Sequence, residues 1–178
     1  TLNSQRSVEN ITTKTVMPKK SATPGEGIVG SFVVKGYQRG YRWSDVEVVR
    51  LLDDVTGILD AEGNASGTYW LQPIVVKKMA DDVFELIDGQ QRLTTLYLII
   101  NYIHKHPAGS TPSPAFRISY ETRPGSEEYL DTLDPERKDE YIDFWFIHRA
   151  AETIRNWFES KESEMLLEMK RLLTKNVK

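Results

Sequence analysis

Between Val83 and His104 the hydrophobic period changes from that of a strand to that of a helix, and it does so across two residues, Asp88 and Gly89. Val83–Ile87 is apolar and bounded by turn signals, which reads as a strand. The Ala80-Asp81-Asp82 turn before it pairs that strand with an earlier one, Tyr69–Lys77, with Pro73 near its start or on an edge. From Gln90 to His104 the apolar residues Leu93, Leu96, Tyr97, Ile100 and Ile103 fall on one helical face. A hairpin that runs straight into a helix points to an α/β (α+β) fold.

The rest of the chain fits around this centre. Residues 1–27 are rich in Thr, Ser, Lys, Pro and Gly and are expected to form a flexible leader. Ile28–Val34 is β-branched and reads as a strand. Ser44 and Glu47 have the capping-box spacing, and Val48, Leu51, Leu52, Val55 and Leu59 continue at helical spacing. Gly63–Gly67 and Pro107–Pro114 read as loops, Ala115–Tyr120 as a strand and Ser126–Leu133 as a short helix. After Pro135 the pattern is helical to the end, with Ile142, Trp145, Phe146, Ile154, Trp157 and Phe158 as its apolar content. The expected organisation is therefore a leader (1–27), an α/β domain (28–133) and a helical extension (134–178), the last reading as the truncated start of a further helical region.

A chain of 178 residues suits one compact domain, or one domain plus such an extension. A net charge of −3 excludes a nucleic-acid footprint over the whole chain and leaves a local basic patch open. Cysteine is absent, so disulfides, thiolate zinc sites and cysteine nucleophiles are excluded together. His104, His106 and His148 are the only imidazoles. No apolar run is long enough to span a bilayer and no signal peptide is visible, so a cytoplasmic setting fits. The chain starts at Thr1 without a methionine and stops inside a helical pattern, and it reads as a piece of a longer protein.

The chemistry concentrates at Asp88-Gly89-Gln90-Gln91-Arg92. A strand that stops at a tight turn and enters a helix leaves the first helical amides unpaired, and these donors and the helix dipole favour an anion. Gly89 permits a positive φ or close backbone approach. Arg92, in the first turn, can fork onto a phosphate, and Gln90 and Gln91 offer amides without charge. One of the Thr94 and Thr95 hydroxyls can face the same site. Asp88 repels phosphate, but it can hold Mg2+, orient a water or fix Arg92. The competing reading is that Asp88 caps the helix, Gly89 makes the turn and Arg92 is solvated, the commoner outcome for a bare Asp-Gly. A second cluster, Gln38-Arg39-Gly40-Tyr41-Arg42-Trp43, shifts that balance. Its arginines beside Tyr37, Tyr41 and Trp43 can form a stacking and anion-binding surface, or else an aromatic anchor with both arginines in surface ion pairs.

These two clusters, with Leu51-Leu52-Asp53-Asp54, Tyr120–Leu130 and Ile142–Phe146, resemble the ParB/sulfiredoxin-like domain at the N-terminus of GmrSD-type restriction proteins. The resemblance covers about Val34 to Phe158. It departs before Tyr37, where Val33-Val34-Lys35-Gly36 stands in place of the family's usual Ile-Pro step. It implies a ParB/sulfiredoxin-like nucleotide-binding fold and a nucleoside triphosphatase that powers or gates cleavage of modified DNA in phage defence, with Mg2+ as cofactor. It carries catalysis onto Asp88, Gln91 and Arg92, and nucleotide contact onto Gln38, Arg39, Tyr41, Gly89, Gln90, Arg92, Thr94 and Thr95, with Asp88 and Asp54 as metal candidates. Cleavage belongs to an HNH-type nuclease domain or subunit for which these residues hold no histidine cluster. A non-catalytic module gripping DNA or a nucleotide in the same cleft is the alternative. The aromatic residues beyond Glu140 are expected to pack on the α/β unit or on a further domain, and their exposure would promote homodimerisation.

Overall fold

The computed structural model describes residues 28–57, 73–107, 113–161 and 163–175. The leader, the Gly63–Gly67 loop, the first residues of the expected Tyr69–Lys77 strand and the middle of the Pro107–Pro114 loop lie outside them. The fold is α+β. A four-stranded mixed sheet has the order β2-β3-β1-β4, where β1 is Gly30–Val34, β2 Val75–Ala80, β3 Val83–Asp88 and β4 Phe116–Tyr120. β1 runs parallel to both β3 and β4, so each of those pairings needs a crossover. The first crossover carries α1 (Asp45–Thr56) and the second carries α2 (Gln90–Lys105). β2 and β3 form the expected antiparallel hairpin, turning at Asp82 with φ 56°. β2 begins later than its apolar run suggests, and shifts of register break its pairing with β3 at Val75/Val76 and Lys78/Ala80. Its exposed Lys77 and Lys78 blunt the open edge.

α2 is the axis of the molecule. Leu93, Leu96, Tyr97 and Ile103 are buried as expected, but so are Leu98, Ile99, Thr94, Thr95 and Asn101, while Ile100 is only half-buried. A helix buried on nearly every side has neighbours on both faces. Here they are the sheet and α4 (Ile142–Glu159), with α3 (Ser126–Thr132) and α5 (Ser163–Lys175) at the flanks. The chain after Pro135 is not continuously helical. A single turn at Pro135–Arg137 is followed by non-helical residues 138–141, with Tyr141 extended before α4. One hydrophobic cluster runs from Phe32 and Val34 through Leu86 and α2 to Phe144, Ile147, Ile154, Leu166 and Met169, so the C-terminal helices share the core of the sheet. Among the described residues, no helix is long and apolar enough to cross a membrane.

The start of α1 follows the sequence closely. The Ser44 amide and hydroxyl donate to Glu47 Oε2 at 2.7 and 2.6 Å, which lowers the Glu47 pKa from its ordinary 4.5. A carboxylate with a depressed folded pKa adds stability above the unfolded value, and that stability disappears as pH falls through the folded one. Glu47→Gln should therefore be less stable than the parent at pH 7. The gap should close as pH drops below the usual glutamate range, which thermal unfolding at a series of pH values would read directly. A gap independent of pH would mean that the side chain's size matters rather than its charge.

Candidate functional site

The β3–α2 junction is built by one residue. Gly89 has φ 90°, a left-handed conformation that suits glycine, and Ile74 packs so closely that an added Cβ would sit 3.1 Å from its side chain. No side chain caps α2, so the first helical amides and the positive end of the helix dipole carry no side-chain acceptor, although Gln90 and Gln91 in that turn are buried. Asp88 is exposed at the end of β3, and Arg92 is half-buried in that first turn, 3.4 Å from the Pro73 carbonyl.

The Gln38–Trp43 loop lies directly against this junction, joined to it by the glutamines. Gln38 donates to the Leu86 carbonyl on β3. Gln90 Nε2 donates to the Arg39 carbonyl at 2.5 Å. Gln91 uses both ends of its amide: Nε2 donates to the Gly40 carbonyl at 3.0 Å and Oε1 accepts from the Arg42 amide at 2.8 Å. This imitates a strand pairing between a side chain and a loop, and it commits Gln91 to holding the loop in place. Gln90 Oε1 is buried without a hydrogen-bond partner.

The threonines are further in. Thr94 and Thr95 are 0% exposed; Thr94 bonds the Tyr120 hydroxyl at 2.8 Å and Thr95 bonds Tyr41 at 2.8 Å while donating to the Gln91 carbonyl. Their hydroxyls join α2 to the sheet and to the loop. Tyr41 is equally buried, and burial raises its pKa and that of Tyr120 above the usual tyrosine value. The expected aromatic surface thus reduces to Tyr37, 73% exposed and donating to Glu85 at 2.7 Å, and a half-buried Trp43.

The two loop arginines separate. Arg39 is exposed, and no ion pair holds its guanidinium among the described residues. Arg42 turns inward: it donates to the Tyr41 carbonyl at 2.6 Å, pairs with Asp143 and stacks 5.3 Å from the Phe146 ring. Asp143, 1% exposed in the first turn of α4, also meets Arg123 Nε at 2.6 Å, an ion-pair contact rather than an aligned hydrogen bond. Arg123 in turn lies over the Tyr141 ring. Gly40 packs so tightly on this carboxylate that a Cβ there would overlap it. Sequence reasoning missed Asp143, although a signal was present: it shares the helical stripe of Ile147, Ala150 and Ile154, and an acid in a core stripe implies a cationic partner.

Asp54 lies near the far end of α1, about 14 Å of helix rise from Asp45, and is exposed there. Among the described residues no group of three histidine, aspartate or glutamate side chains is placed to hold a metal ion. The donor at the junction is the single carboxylate of Asp88.

The GmrSD restriction endonuclease N-terminal domain family matches residues 23–177. The chain belongs to that family. It is therefore a part of a restriction, phage-defence protein. The GmrSD match runs through α4 and α5, so the helix that carries Asp143 falls inside the family's domain. Comparison with curated proteins and with solved structures gave no match.

Proposed function

We propose that this GmrSD N-terminal domain binds and hydrolyses a nucleoside triphosphate at the start of α2, as the sensing part of a modification-dependent restriction system. The observation that carries the reading is the first turn of α2 at Gly89, without a side-chain cap, with the half-buried Arg92 in it and the exposed Arg39 on the loop whose backbone Gln90 holds. Helix amides and two guanidiniums favour a polyphosphate, and the forked geometry of arginine suits its paired oxygens. The strand–turn–helix layout is also what the resemblance to ParB and sulfiredoxin implies for phosphate contact.

The chain's own residues divide the work. Arg39 and Arg92 bind phosphate, and Gly89 lets it approach the backbone. Asp88 orients the attacking water and accepts its proton. Gln38, Gln90, Gln91, Tyr41, Thr94 and Thr95 position these groups through the hydrogen bonds they make to the loop and the core. A nucleotide's own Mg2+ keeps waters and phosphates as ligands and needs one or two protein carboxylates, so the junction fits it through Asp88 alone. Such an ion would supply charge neutralisation on the phosphates. Modified DNA as the sensed partner and an HNH-type nuclease domain or subunit as the effector complete the proposal.

The alternative, a module that binds without turnover, draws on Gln91, whose amide is committed to the loop and so leaves Asp88 as the acid–base group at the turn. Phosphate release by the parent, Asp88→Ala and Arg92→Ala separates the two readings. Hydrolysis predicts a fall of about a hundredfold in either variant, the scale of losing one electrostatic stabiliser of a transition state. Equal release by all three proteins would sink it, and salt-dependent DNA or nucleotide binding without release would establish the module.

A further inference from the structure

Asp143 has no place in the chemistry above, yet it is a fully buried carboxylate. Burying an ion is costly unless partners compensate, and well-packed apolar residues often do as well for stability. Its partners come from separate parts of the chain: Arg42 from the loop beside the proposed nucleotide site and Arg123 from the turn after β4. The third contact is backbone, because Gly40 rests against the carboxylate with no room for a Cβ. Gln90 and Gln91 grip the same loop from α2, through the Arg39 and Gly40 carbonyls and the Arg42 amide. Residues 39–42 are thus held from both sides, by α2 and by α4. Arg39 is exposed within that held stretch, so these contacts fix the point from which its side chain starts, beside Gln90.

We infer that Asp143 is a positioning residue for the nucleotide site: through Arg42 and Gly40 it fixes the loop and aims Arg39 at the start of α2. The inference rests on the nucleotide reading and adds α4, more than a hundred residues along the chain from the loop, to the machinery of that site.

The test measures affinity for a panel of fluorescently labelled ribonucleoside triphosphates with Mg2+, using the whole chain. Arg39→Ala, Asp143→Asn and Arg42→Met should each weaken binding about tenfold, the scale of one charge-assisted contact. Arg42→Met leaves Asp143 its contact with Arg123, so it remains informative if Asp143→Asn fails to fold. The deciding result is non-additivity: in the Arg39→Ala background neither second change should weaken binding further, because the group that Asp143 aims is already gone. Losses that multiply, or Asp143→Asn and Arg42→Met both within about twofold of the parent, would overturn the inference and leave Asp143 as a core ion pair. An unimpaired Arg39→Ala would overturn it too. A parent protein that binds none of the nucleotides would instead remove the nucleotide reading, and the inference with it.

Discussion

Gly40→Ala should destabilise the protein by about 3 kcal/mol, which for a chain of this size lowers Tm by about 10 °C. Alanine is normally the mildest of changes, and here the cost comes from its surroundings. The new methyl overlaps the Asp143 carboxylate, which is buried and held by Arg42 and Arg123. Either the carboxylate moves and loses its guanidiniums, or the loop lifts and breaks the Gln91 bonds to Gly40 and Arg42. Urea or thermal unfolding measures the loss. Adding Asp143→Ala should recover part of it, because the clash disappears while Arg42 and Arg123, both partly exposed, can turn to water. A Gly40→Ala protein within about 0.5 kcal/mol of the parent would show that the loop yields freely, and would weaken the case for a fixed Arg39.

This expectation also marks how far the sequence could be read. The β2–β3 hairpin, the Gly89 turn and the start of α2 were legible because their causes are local: short apolar runs, turn chemistry and helical spacing all lie within a few residues. The capping box at Ser44 was legible for the same reason. The motif residues were recognisable, but not their roles. Whether Gln91 meets a ligand or the Gly40 backbone depends on a loop about fifty positions earlier in the chain. Whether Arg42 is solvent-facing or buried depends on Asp143, on a helix about a hundred positions later. Arg39 and Arg42 look alike in the sequence, and only the docking of α4 sends one outward and the other inward.

The same dependence decides which residues of Ile142–Phe146 matter. Five consecutive residues, four of them apolar, do not fix which side of a helix faces the core. Ile142, counted among the apolar content of that region, is 56% exposed, whereas Phe144 is completely buried. Phe144 stacks on Tyr129 with ring centroids 3.9 Å apart, meets Tyr141 edge-on at 5.0 Å, and offers its backbone carbonyl to the Tyr129 hydroxyl, whose pKa burial pushes up to about 12. Phe144→Ala should therefore cost about 4 kcal/mol, from lost burial and the cavity left between α3 and α4. Ile142→Ala, two positions earlier on the opposite side, should stay within about 0.5 kcal/mol of the parent. Chemical denaturation of the pair reads the orientation of α4 without reference to any activity. Equal costs at the two positions would mean that α4 is rotated, and Asp143 would then no longer point at Gly40. Because Asp143 adjoins Phe144, the aromatic stack that anchors the helix also holds the carboxylate in place, so packing in the C-terminal helices and the geometry of the Gln38–Trp43 loop should fail together.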